Sequence, residues 1–160
     1  MQVVSRKSIL WGYLEPDLRG LIQDGESLLE EVEHLHGTIS DFSFLVFPFS
    51  KAYEGFLKKL FLDLDLMRED EYYGDDIRIG RILNPSYAEE HTSVYKKLYK
   101  HEKGGGTLAD QLWTVWRKGR NQVFHYFPHN FRSITLNEAL EIVHEVIGAM
   151  ENAVGKCGLK

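Results

Sequence analysis

Residues 41–66 read DFSFLVFPFSKAYEGFLKKLFLDLDL, and this stretch decides the fold. Phe42, Leu45, Phe49, Tyr53, Phe56, Leu57, Leu60, Phe61 and Leu64 recur mostly at three- and four-residue steps, the spacing that lines one face of an α-helix. Pro48 falls inside the pattern. It lacks an amide hydrogen and crowds the preceding turn, so it either kinks the helix or marks its true start. The density of apolar residues makes this the central core helix.

Working outward, residues 16–34 place Leu18, Leu21, Ile22, Leu28, Leu29 and Val32 at similar steps, with Pro16 suited to the first turn and Gly37 to a stop. The lead through Trp11, Gly12 and Tyr13 reads as irregular or briefly extended. On the other side, REDEYYGDD at 68–76 has no apolar period and reads as a loop. A short helix over 77–83 should end at Asn84-Pro85, and another is expected over 88–100. Gly104, Gly105 and Gly106 break the chain. Thr107 then stands where an N-cap would, ahead of Leu108, Leu112, Val115, Trp116 and Val123, in a helix that must stop by Pro128. Thr135 with Glu138 three residues on is a capping-box pattern opening a last helix through Val154. The expected architecture is all-α, four long helices plus short helical pieces, in one domain over 1–160: an N-terminal extension and first helix (1–40) and a bundle (41–154).

A chain of 160 residues buries roughly 70% of its unfolded surface and needs no staples. Hydrophobic residues make up 43% and charged residues 27%, globular proportions, and no apolar run approaches the ~20 residues of a membrane helix. Cys157, the single cysteine, excludes a disulfide framework and a thiolate zinc cluster. No secretory signal is readable, so the cytoplasm is the expected location.

The net charge of −5 argues at first against a polyanionic partner. It is unevenly spread. Residues 91–132 hold eight basic and two acidic residues, a local charge of +6, against −11 for the rest. This predicts an acidic body presenting one basic edge, although acidic neighbours in space would equally neutralise such a segment.

The seven histidines show no metal-ligand spacing, and the three glycines lack the lysine, hydroxyl and preceding strand of a phosphate loop. No cofactor is expected. The segment Arg117-Lys118-Gly119-Arg120-Asn121-Gln122-Val123-Phe124-His125 is different. It sets three cations, amides and an imidazole in the last turns of a helix. Arginine offers a fork of donors for phosphate oxygens and histidine moves protons near neutral pH. That equipment suffices for attack of an RNA 2′-hydroxyl on its own phosphate without a metal. The same residues also fit a structural part, with Arg120 capping carbonyls and His125 at the surface.

The string RNQVFH fits the R-x4-6-H motif of the HEPN superfamily, including the polar Asn121 directly after Arg120. AYEGFLKKLF at 52–61 also resembles the HEPN domain of the RNase LS (RnlA-type) toxins, in which a glutamate on an earlier helix joins the arginine and histidine. The resemblance covers about 41–154; those toxins carry further domains for which this chain has no room. It implies an HEPN-like helical bundle, a catalytic set of Glu54, Arg120, Asn121 and His125, an RNA substrate, a homodimer with a shared cleft, and a toxin or phage-defence role with an antitoxin partner. Arg117, Lys118, Lys96, Lys97 and Lys100 would bind the RNA backbone, and Tyr126 and Phe127 would stack on a base. Two alternatives stand beside it: an HEPN domain that binds RNA, a nucleotide or a protein without cutting, and an interaction module whose acidic half docks a basic partner. On a straight α-helix Arg120 and His125 point about 140° apart, so either the helix distorts before Pro128 or two chains pair.

Overall fold

The computed structural model describes residues 1–32, 34–35, 39–101, 106–126, 128 and 132–159, for His101 the backbone alone. The described residues are all-helical, with no strand among them. Expectations placed on Gly37, Gly104, Gly105 and Phe127 lie outside the described residues.

The central helix is as expected. α3 spans Ser43–Asp63 and buries Leu45, Phe49, Tyr53, Phe56, Leu57, Leu60 and Phe61. Pro48 lies inside it, buried, and does not mark its start. α2 (Pro16–Val32) packs along α3, and α8 (Leu136–Cys157) packs on α3 as well. The capping box of α8 is present: Thr135 Oγ1 accepts the Glu138 amide at 3.3 Å, and Glu138 accepts the Thr135 amide at 2.7 Å.

Two segments differ from their sequence reading. Residues Ile9–Tyr13, expected to be irregular, form a short helix, α1, capped by the Ser8 hydroxyl accepting from the Trp11 amide. Residues Glu69–Tyr73, expected to be loop, form α4. Its first turn is Glu69-Asp70-Glu71, favourable at a positive helix end, and Glu71 accepts the Arg68 amide at 2.9 Å. Capping chemistry, invisible to an apolar-period test, explains the helix. α5 (Ile79–Ile82) is followed by a 3₁₀ turn at Pro85–Tyr87, where Asn84 Oδ1 accepts the Ser86 amide. α6 (Val94–His101) starts later than residue 88. α7 (Thr107–Trp116) is entered through Gly106 at φ +66, so the N-cap is Gly106 and Thr107 is already helical. The Tyr99 ring lies over Gly106, and a Cβ there would fall 1.8 Å from it.

α7 runs antiparallel to both of its long neighbours. Against α3, partner numbers rise as α3 numbers fall: Tyr53 with Leu112, Ser50 with Gly119, Phe47 with Phe124. Against α8, Thr107 meets Lys156, Gln111 meets Asn152 and Lys118 meets Glu145. The segment after α7 is thus gripped between α3 and α8.

The amino-terminal residues fold back on α2. Buried Glu26 accepts the Val3 and Val4 amides and pairs with Arg6, whose guanidinium sits 4.0 Å from the Trp11 ring. Burial pushes the Glu26 carboxyl up, but Arg6 and the two amides outweigh it and hold the group below its ordinary value.

Candidate nucleic-acid interface

The motif does not continue α7 as a regular helix. Residues Arg117–Gln122 form a π-helix, closed by i→i+5 bonds and so one residue wider per turn. The cause is visible in the packing. Gly119 is buried between α3 and α8, and a Cβ there would lie 3.1 Å from Val146 and 3.5 Å from Ile142. Val123 and Phe124 both donate to the Arg120 carbonyl, while the Gly119 carbonyl accepts the buried Ser50 hydroxyl at 2.5 Å. One turn along α3, the buried Tyr53 hydroxyl donates to the Leu112 carbonyl at 3.0 Å. Two α3 hydroxyls therefore hold α7 and the wide turn, and burial pushes the Tyr53 phenol up.

The distortion changes the phase between Arg120 and His125. The 140° separation belongs to a continuous α-helix; here the wide turn intervenes, the helix is capped at Val123, and His125 stands exposed two residues beyond.

Glu54 and Arg120 do meet. A Glu54 carboxylate oxygen lies 3.8 Å from Arg120 Nε, with both side chains more than one-third exposed. The closest approach is through Nε, and at 3.8 Å it is an ion-pair contact and not a hydrogen bond. The guanidinium also sits 5.6 Å from the Phe124 ring centroid. Phe124 in turn makes an edge-to-face contact with Phe47, centroids 5.7 Å apart. Asn121 is half-buried, and Arg117 and Tyr126 are exposed, Tyr126 by 75%.

The expected basic edge is divided. Lys118 faces α8 and pairs with Glu145 at 2.6 Å, and Lys96 pairs with Glu89 at 2.6 Å. Lys97 lines an open cleft of about 480 Å³ with Leu62, Asp65 and Met67, at the far end of α3. Leu62 is eight residues beyond Glu54 on the same helix, roughly 12 Å at helical rise. Lys100 is exposed on the same short helix as Lys97. The run of positive charge in sequence is thus two patches in space, separated by the packing of α6 against the start of α7.

Sequence reasoning missed Ser50 and the aromatic pair Phe47 and Phe124. The signal for Phe47 was present: it stands off the core stripe of α3, on the polar side. Among the described residues, no group of three or more His, Cys, Asp or Glu side chains is placed to hold a metal ion. No helix of the described residues is long and apolar enough to cross a membrane. No protein-family model, curated protein or solved structure matches the chain significantly.

Proposed function

We propose that this chain is a metal-independent endoribonuclease of the HEPN kind, acting as a homodimer. The observation that carries the reading is the 3.8 Å approach of Glu54 to Arg120, which joins one residue from each stretch of the resemblance, AYEGF and RNQVFH. The wide turn beneath Arg120 adds support, since such turns concentrate at functional sites.

In this reading the terminal nitrogens of Arg120 grip the scissile phosphate and stabilise the charge that builds on it. The 2′-oxygen bonds to phosphorus and the bond to the 5′-oxygen breaks, leaving a 2′,3′-cyclic phosphate and a 5′-hydroxyl. His125 donates the proton that the leaving 5′-oxygen takes up. The 2′-hydroxyl proton passes to the second His125 of a two-fold dimer, whose motifs line one cleft. Asn121 orients the phosphate, and Glu54 is a positioning residue that fixes the guanidinium through Nε.

The test is labelled RNA incubated with the protein in EDTA. Cleavage should survive chelation and fall by about 100-fold or more in Arg120→Ala and in His125→Ala, each checked for an unchanged fold by melting. Glu54→Gln, which keeps the size of the side chain and removes its charge, should retain activity to within about tenfold. A strict monomer by light scattering at working concentration would sink the shared cleft. The same assay separates the second reading, an HEPN domain that binds RNA without cutting it. RNA left intact yet bound with steep salt dependence would favour it.

A further inference from the structure

The polar side of α3 is not polar at its beginning. Phe44 and Phe47 are 42% and 55% exposed, and among the described residues they are the exposed phenylalanines. On a helical projection Phe44, Phe47, Lys51, Glu54 and Lys58 fall within about 80° of one another, one stripe facing away from the core. Phe42 stacks on Phe44, centroids 6.2 Å apart; Phe47 meets Phe124, and Phe124 carries the Arg120 guanidinium. An aromatic row therefore leads along the helix face to the arginine of the motif.

The charges around the row indicate its occupant. Lys51, Lys58 and Arg117 have no ion pair among the described residues, and the one carboxylate of the stripe, Glu54, is taken by Arg120. A second copy seated on Phe44 and Phe47 brings no carboxylate of this stripe to meet those cations except Glu54, which Arg120 already holds. A nucleic acid brings the opposite charge together with flat apolar bases, and aromatic rings beside arginine and lysine are what such a ligand uses.

We infer that Phe44 and Phe47 form a stacking subsite for unpaired nucleobases, flanking the phosphate position at Arg120. The inference rests on the reading of Arg120 as a phosphate ligand and deepens it. The two ring-to-ring and ring-to-guanidinium steps are each under 6 Å, so the nucleotide carrying the gripped phosphate or its neighbour reaches Phe47. A base held in a duplex cannot present its face to this ring, so the subsite selects unpaired segments. In the proposed dimer the strip flanks the shared cleft and is not its seam.

The probe is a short 2′-O-methyl oligoribonucleotide, which cannot supply the attacking hydroxyl, followed by fluorescence anisotropy, with light scattering on the same samples. Phe47→Leu keeps the apolar bulk and loses the flat face; it should weaken binding by roughly tenfold, with Phe44→Leu acting in the same direction. Phe47→Trp should bind as well as the wild type or better. Binding that Arg120→Ala weakens and both leucine variants leave unchanged overturns the subsite alone. A dimer that Phe47→Lys splits, with Phe47→Leu still binding RNA normally, makes the strip an interface between copies and also overturns it. A wild type that neither binds nor cuts RNA overturns the nucleic-acid reading itself.

Discussion

Ser50 places a hydroxyl in the middle of an apolar helix face, where alanine would fit the space nearly as well. Its value lies 69 positions away, at the Gly119 carbonyl of the wide turn. Ser50→Ala leaves that buried acceptor without its partner and should destabilise the protein by about 1–3 kcal/mol, read from chemical denaturation. The loss should also be local. Hydrogen exchange is expected to speed up over residues 117–124 while the middle of α8 stays protected. A uniform loosening across the chain would mean that Ser50 only fills space. No reading of the sequence finds this residue, because serine in an apolar run is locally neutral and its partner is a backbone oxygen, which every residue has. Glu54 was legible for the opposite reason: a carboxylate beside a recognisable string invites comparison.

At the scale of elements, legibility followed the apolar period. α2, α3 and α8 each bury a regular stripe, and their positions follow from it within a few residues. α1 and α4 are too short to show a period and stand on their caps, Ser8 and Glu71. The wide turn at Arg117–Gln122 was invisible because it answers to the neighbours that grip it: Ile142 and Val146 crowd the place where a Cβ on Gly119 would stand. The sequence pattern allowed for a distortion before Pro128 without locating it. Gly106 offers a test of how firmly α7 is seated. An alanine there must hold φ near +66 and displace the Tyr99 ring, so Gly106→Ala should cost more than about 1 kcal/mol, and Tyr99→Ala in the same background should recover only the steric share. Full recovery in that pair would show that backbone strain contributes nothing.

For the whole molecule, the net charge of −5 is distributed by packing and not by sequence order. Lys118 is spent on α8 and Lys96 on Glu89, so the field near the motif depends, among the described residues, on Arg117, Lys51 and Lys58, with Arg120 beside Glu54. The amino-terminal residues close on α2 through Glu26, and this contact has a definite pH range. The Glu26 carboxyl is held below its unfolded value near 4.3, so its contribution is complete above that pH and is lost as the pH falls through the lower folded value. Acidification from about pH 6 to about pH 3 should therefore expose the Val3 and Val4 amides to exchange, and Glu26→Gln should flatten that response. An acid response unchanged in Glu26→Gln would place the sensitive group elsewhere.

The grip on the wide turn has a consequence in time. Its supports are Ser50 and Glu54 on one side and Ile142 and Val146 on the other, and the last of these is made long after the motif itself. While the chain is being synthesised, residues 117–122 can emerge as nothing more than an ordinary helical stretch or an unformed one. Before that helix packs, Arg120 and His125 lack the relative phase that the wide turn gives them. The turn takes its shape only once the helix over Leu136–Cys157 has packed against it.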